Sequence, residues 1–190
     1  AVGQVCHFEI EKEYPKDEVQ GALNYHLKPN SITVLMVEMV DESFHARFSA
    51  KYRSYIYKII TRRAPLAIMY GLAWHVTENL DIEKMQEAAT VLLGTHDLSS
   101  FRSSNCSAKN PIRTIDVIEV RHKSKEEIEI YIKAPSFLHN QVRIIVGCLY
   151  KVGVGALTKE GLKAILEAKD RTKAMQTAPA EGLYLYEVGY

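Results

Sequence analysis

One arginine stands at the centre of the most apolar segment of the chain. Around Arg143, residues 137–152 include Phe137, Leu138, Val142, Ile144, Ile145, Val146, Cys148 and Leu149. A helix with that pattern is apolar around most of its circumference and is expected to be buried. A buried guanidinium needs an anion, because desolvating an unpaired charge costs several kcal/mol. Either a carboxylate of the same domain supplies it, which makes the arginine structural, or the anion comes from elsewhere, which makes the arginine part of a site. His139 and Gly147 share its face at four-residue spacing, and Gly147 allows a backbone or a ligand to approach closely.

A second cluster is Lys51-Tyr52-Arg53-Ser54-Tyr55-Ile56-Tyr57-Lys58. Rings interleaved with cations suit single-stranded or splayed nucleotides, where bases stack on aromatics and phosphates meet Lys or Arg. The same pattern also describes a half-buried strand with a solvated border, and composition alone leaves both readings open. Other candidates are weaker. The glycines of VGVGALTKEG follow a helix instead of a strand, so they read as helix termination and not as a dinucleotide fingerprint. The seven histidines never fall at metal-ligand spacing. Cys6, Cys106 and Cys148 are odd in number and far apart, which fits free thiols in a reducing compartment. Asp97 is expected to cap the turn that follows it.

The chain that must position these groups has 190 residues, 47% hydrophobic and 25% charged, with a formal net charge of +1. That suffices for one ordinary core or two small joined halves and excludes collagen-like, disordered and repeat architectures. The longest uncharged apolar run, residues 64–74, is well short of the ~18–20 residues of a membrane span. The opening AVGQVCHFEIEKE has neither a basic nor an apolar leader region, so no secretory signal is expected in it. Charge is blocked along the chain. Residues 43–77, 98–115 and 130–159 carry no acid upstream of Lys159, whereas acids gather in 9–18, 78–87 and 126–129. This predicts a basic face opposite an acidic one, the electrostatic footprint of a nucleic-acid binder.

Periodicity predicts strands at 2–8 and 32–40 around a helix at 16–27, with Val19, Ala22, Leu23 and Leu27 on one face. A long strand is expected over 44–61, bent at Ser49-Ala50. Asp81 caps a helix with Ile82, Met85, Ala89 and Leu92 inward, which Gly94 ends. Strands at 112–120 and 128–134 form an antiparallel pair. Ser136 opens a helix running to about Val152, a shorter helix covers 158–168, and a last strand covers 183–188. The expected class is α+β, a mostly antiparallel sheet with helices packed on it.

Several segments in order resemble the tRNA pseudouridine synthases of the TruA type. They are FHARFSA at 44–50 with Tyr55-Ile56-Tyr57, GTHDLSSFR at 94–102, the turn holding Pro111, Arg113 and Thr114, SFLHNQVRIIVG at 136–147, and EGLYL at 181–185. The resemblance spans essentially the whole chain. It implies a pseudouridine-synthase-like fold, with residues 1–43 as the end of an N-terminal half-domain and 44–190 as the C-terminal half.

The implied activity is isomerisation of uridine to pseudouridine at positions 38–40 of the tRNA anticodon arm, in a cytoplasmic homodimer that uses no metal or cofactor. Tyr55 matches the active-site tyrosine, and Arg143 matches the arginine that pairs with the nucleophilic Asp. Leu183 is implied as an apolar wall beside the base, and Arg53, Lys51, Arg47, His45, Arg102 and His139 as substrate contacts. The family's Asp belongs to an R-T-D-x-G-V-H motif, and the opening AVGQV looks like the stretch just after it. The nucleophile is therefore expected upstream of Ala1, and residues 1–190 alone are expected to be inactive. Gln141 departs from the Met of many relatives without affecting an implied role. Two other classes remain: a non-catalytic tRNA-binding module, and a small-molecule enzyme with no affinity for tRNA.

Overall fold

The computed structural model describes residues 1–190. Contacts divide the chain into two units, Val5–Ser49 on the one hand and Ala1–Gln4 with Ala50–Tyr190 on the other. No helix is long and apolar enough to cross a membrane.

Within Val5–Ser49 the predicted helix forms as α1 (Lys16–Leu27). Its inner face is shallow: Val19, Leu23 and Leu27 are half-buried and Ala22 is exposed. The strands expected at 2–8 and 32–40 do not form. A strand exists only where a neighbour accepts and donates along a ladder. Here the polar groups of Val34 and Leu35 are taken by α1 instead. Asn24 donates to Val34 O at 3.0 Å and accepts from Val34 N at 2.8 Å, while Gln20 Nε2 donates to Val34 O and Leu35 O at 3.0 and 2.8 Å. The apolar alternation that suggested a strand leaves Ile32, Leu35, Met36 and Met39 exposed.

The larger unit is built on β1 (Tyr52–Thr61). The expected strand begins eight residues earlier, but residues 44–49 turn back on themselves, with Ser49 N donating to His45 O and His45 N to Ser49 Oγ. One edge of β1 pairs antiparallel with β6 (Glu127–Ala134), which pairs antiparallel with β5 (Val117–His122). The other edge is shared end to end by β7 (Leu183–Gly189), antiparallel, and the short parallel β2 (Trp74–Val76). A separate two-stranded sheet joins β3 (Gly94–Asp97) to β4 (Ile112–Ile115). The strand predicted over 112–120 is thus two strands serving two sheets, and Asp116, whose N–H reaches Lys133 O, marks the change of partner.

On one face of the main sheet lie α2 (Ile82–Ala89), α3 (Gln141–Gly153) and α4 (Lys159–Ala168). Tyr57, Ile59, Ile130 and Ile132 of the strands meet Met85, Ile144, Ile145, Leu149 and Leu162 in one buried core. Asp81 caps α2 as expected, accepting from Lys84 N at 3.0 Å, and Thr158 caps α4 by accepting from Gly161 N. α3 starts five residues later than predicted. Asn140 adopts a left-handed backbone, φ 60°, which a continuing helix cannot contain, so residues 137–140 form a bend before the first turn.

Charge blocked along the sequence is not blocked in space at this sheet. The β1–β6 pairing brings Lys58 to Glu127 at 3.6 Å, and the adjoining Arg62 lies 3.5 Å from Glu126. Arg121 reaches the buried Glu129 at 3.2 Å.

Cys148 sits fully buried on α3, and burial pushes its thiol up to about 11. An unfolded cysteine ionises near 8.5–9, so above that pH the unfolded state releases a proton that the folded state keeps, and stability falls as pH rises from about 9 to about 11. The slope of thermal midpoint against pH across this window should be shallower in Cys148→Ala than in the parent, and identical slopes would contradict the assignment.

Candidate functional site

Arg143 lies in the first turn of α3 and is half-buried. Its setting is made by Gly147 one turn further on. A methyl group there would stand 1.9 Å from the carbonyl oxygen of Gln176, so only glycine lets residues 176–182 run against the helix as a strap. Ala178 N donates to Arg143 O at 3.1 Å, and Arg143 Nε donates back to Ala178 O at 2.7 Å. Arg143 Nη1 donates to Asn140 Oδ1 at 3.2 Å, across the left-handed bend. No carboxylate of the 190 residues pairs with it. Of the two sequence readings, the internal Arg–carboxylate pair is therefore excluded. Neutral oxygens orient the guanidinium without neutralising it, and its partial exposure makes that tolerable.

Across the strap stands Tyr57 of β1, fully buried, with its hydroxyl donating to Pro179 O at 2.7 Å. Burial pushes this phenol far above its ordinary value, against a lowering by the Arg143 charge and with a further rise from Glu181. Leu183, the first residue of β7, is the ladder partner of Tyr57. Tyr55 shares the pleat face of Tyr57, is half-buried, and meets Phe137 edge-on at 5.2 Å between centroids. Burial raises the Tyr55 hydroxyl above its usual 10, with the Arg53 charge opposing, so Tyr55 is neutral at physiological pH. The structure thus gathers Arg143, Tyr57 and Leu183 around one strap, with Tyr55 two residues from Tyr57 on the same face of β1.

The remaining predicted contacts divide into groups. Arg53 is half-buried and donates to Ala50 O and Pro135 O at 3.2 and 2.8 Å, while Lys51 is exposed beside it. Arg102 donates to Ala108 O, and Ser103 N reaches the carbonyl of the exposed His139, so the loop after Phe101 and the bend before α3 adjoin. Cys106 sits in that neighbourhood. Burial pushes its thiol up, but hydrogen bonds to the His139 and Ala108 backbones and the charges of Arg102 and Arg113 outweigh this and bring it below its ordinary value. His45 and Arg47 belong to the Val5–Ser49 unit. There His45 Nδ1 accepts from the N–H groups of Arg47 and Phe48 at 3.1 and 3.3 Å, and Arg47 lies over the Phe48 ring. Asp97 accepts from Ser99 N at 3.0 Å, the capping role expected of it. No three His, Cys, Asp or Glu side chains converge as a metal would require.

Sequence reasoning did not single out Tyr57, Asn140 or the 178–179 carbonyls. Tyr57 lies in the same alternating segment as Tyr55, and that alternation is the signal that was available. The carbonyls carry none, because any residue supplies one.

Residues 88–190 match the family described as tRNA pseudouridine synthase. Over all 190 residues the chain is 52% identical to "tRNA pseudouridine synthase A" of Paramagnetospirillum magneticum, covering 74% of that protein. It is 52% identical to the protein of the same name from Ehrlichia canis and 51% identical to that from Wolbachia pipientis, covering 77% of each.

Gly147→Ala should displace the strap and destabilise the domain by about 1–3 kcal/mol, the usual cost of overpacking. Urea unfolding measures it, and an unchanged midpoint would show that the strap does not depend on this close approach.

Proposed function

The chain belongs to the tRNA pseudouridine synthase family, and from that premise we propose that it acts in isomerising uridine to pseudouridine at positions 38–40 of the tRNA anticodon arm. The observation that carries the proposal is Arg143, oriented by Ala178 O and Asn140 Oδ1 yet lacking any carboxylate partner within residues 1–190. In this reading its anion is the Asp of the Arg-Thr-Asp motif, which lies outside these residues. A carboxylate beside a fixed guanidinium stays ionised, which is the state a nucleophile needs.

The reaction breaks the bond between uracil nitrogen and the sugar, rotates the detached base and rejoins it through carbon. Atoms balance without a metal, cofactor or energy source, and we propose none. The target base must leave its stack, which costs a few kcal/mol that stacking and phosphate contacts offset. Tyr55 packs its ring on the base, and its hydroxyl, kept protonated by burial, serves proton transfer only as a neutral donor or acceptor. Leu183 forms an apolar wall. Lys51, Arg53, Arg47, His45, Arg102 and His139 are assigned to the RNA. The proposal further includes a cytoplasmic homodimer, with residues 1–43 closing the upstream half-domain and 44–190 forming the downstream one.

In a protein carrying both the Arg-Thr-Asp motif and these residues, Arg143→Met should reduce turnover on tRNA about 100–1,000-fold and spare most tRNA binding. Unchanged turnover would reject the role of Arg143. Binding itself should weaken steeply with salt, as phosphate contacts require. A dissociation constant indifferent to salt would reject tRNA as the partner, and salt-dependent binding with no turnover in the complete protein would favour a non-catalytic module.

A further inference from the structure

Tyr57 is a buried titratable group with no part in the chemistry above. Its phenol is far too weak an acid to exchange protons near neutrality, because burial holds it in the protonated form. Its O–H is also fully engaged with Pro179 O at 2.7 Å. A general acid or base role is thereby excluded on two grounds.

What the hydroxyl does hold is the strap. Residues 174–179 form no helix or strand, so their path is set by what grips them. Pro179 has no N–H, and its carbonyl is the only backbone group by which it can be held. Tyr57 takes that carbonyl, and Arg143 Nε takes the preceding one, Ala178 O, at 2.7 Å. Two adjacent peptide units are thus gripped from opposite sides, by β1 and by α3. Tyr57 also meets the strap further on: a methyl at Gly182 would stand 2.6 Å from Tyr57 Cζ, and Leu183 pairs with Tyr57 across the ladder. The Ala178 and Pro179 carbonyls belong to successive peptide planes joined at Pro179 Cα, where the ring fixes φ at −53°, so holding the Pro179 carbonyl leaves a single soft torsion between it and the Ala178 carbonyl.

We propose that Tyr57 is a positioning residue for the reaction: by anchoring Pro179 it aims the Ala178 carbonyl that orients the Arg143 guanidinium, and it seats Leu183 in the same stroke. The inference rests on the functional reading of Arg143 given above and adds to it the residue that holds Arg143 in place.

Tyr57→Phe tests it, since the ring and its edge contact with Trp74 are kept and only the hydroxyl is lost. In the complete protein, kcat should fall about tenfold while KM for tRNA stays within about twofold, the split expected when transition-state positioning alone is lost. The acid limb of kcat should move to higher pH, because a less well placed Arg143 holds the nucleophilic carboxylate less firmly in its ionised form. In an Arg143→Met background the same change should cost nothing further, since residues acting as a unit are not additive. An equal loss in both backgrounds, or an unmoved acid limb, would overturn the proposal.

A readout independent of turnover separates this inference from the reading beneath it. Exchange of the Arg143 Nε proton, followed by nitrogen-15 NMR, should be faster in Tyr57→Phe than in the parent. Unchanged exchange overturns the positioning role whatever the kinetics show, whereas normal turnover in Arg143→Met overturns only the functional reading.

Discussion

Arg143 and Ala178 exchange two hydrogen bonds, backbone N–H to carbonyl in one direction and guanidinium to carbonyl in the other. Most of the site follows from that pair. It requires Gly147, because the helix and strap backbones approach too closely for a Cβ. It carries the chain from α3 across to β1, where Tyr57 receives Pro179. It delivers Leu183 into the sheet beside Tyr57. Orientation comes entirely from neutral oxygens, which point a cation without cancelling its charge. The guanidinium therefore keeps its charge, and the N–H donors not given to Ala178 O and Asn140 Oδ1, for an ionised carboxylate.

Rigidity behind the site comes from the sheet and the helices packed on it. β1 is central, with β6 on one edge and β7 and β2 on the other, so Tyr55 and Tyr57 stand on a strand paired on both sides. The buried face of α3, with Ile144, Ile145 and Leu149, fixes the helix against that strand. Apolar burial of this kind is the main favourable term in folding, and here it also sets the reference frame in which a strap with no regular structure acquires a defined path.

Much of this frame was legible in the sequence. Helix periodicity located α1 and α4 nearly to the residue and the start of α2, which ends at Ala89, short of the expected Gly94, because Thr90–Leu92 tighten into a 3-10 turn; the Gly147 spacing announced a close approach by a backbone or a ligand. What failed failed for identifiable reasons. Residues 32–40 have strand composition, but the side-chain amides of Gln20 and Asn24 occupy the backbone groups a ladder would have used. Residues 137–140 have helix composition, but Asn140 takes a left-handed conformation that sequence allows and does not demand. Charge blocks at 43–77 and 126–129 suggested opposed faces, yet strand pairing set Lys58 against Glu127. Within the site, Arg143 stood out by its place in an apolar helix, whereas Tyr55 was singled out only through the family resemblance. Tyr57 and the Ala178 and Pro179 carbonyls were not, since their roles arise from a path that only the folded chain defines.

In the proposed mechanism Arg143 is a cation placed in advance for a carboxylate that residues 1–190 do not supply. The most direct test is a carbon-13 NMR titration of the Arg-Thr-Asp carboxyl in a protein that carries both that motif and Arg143. A pKa well below the ordinary value of about 3.9, returning towards it in Arg143→Met, is the predicted result. An Asp that titrates normally, and is indifferent to the loss of Arg143, would contradict the pairing on which the account rests.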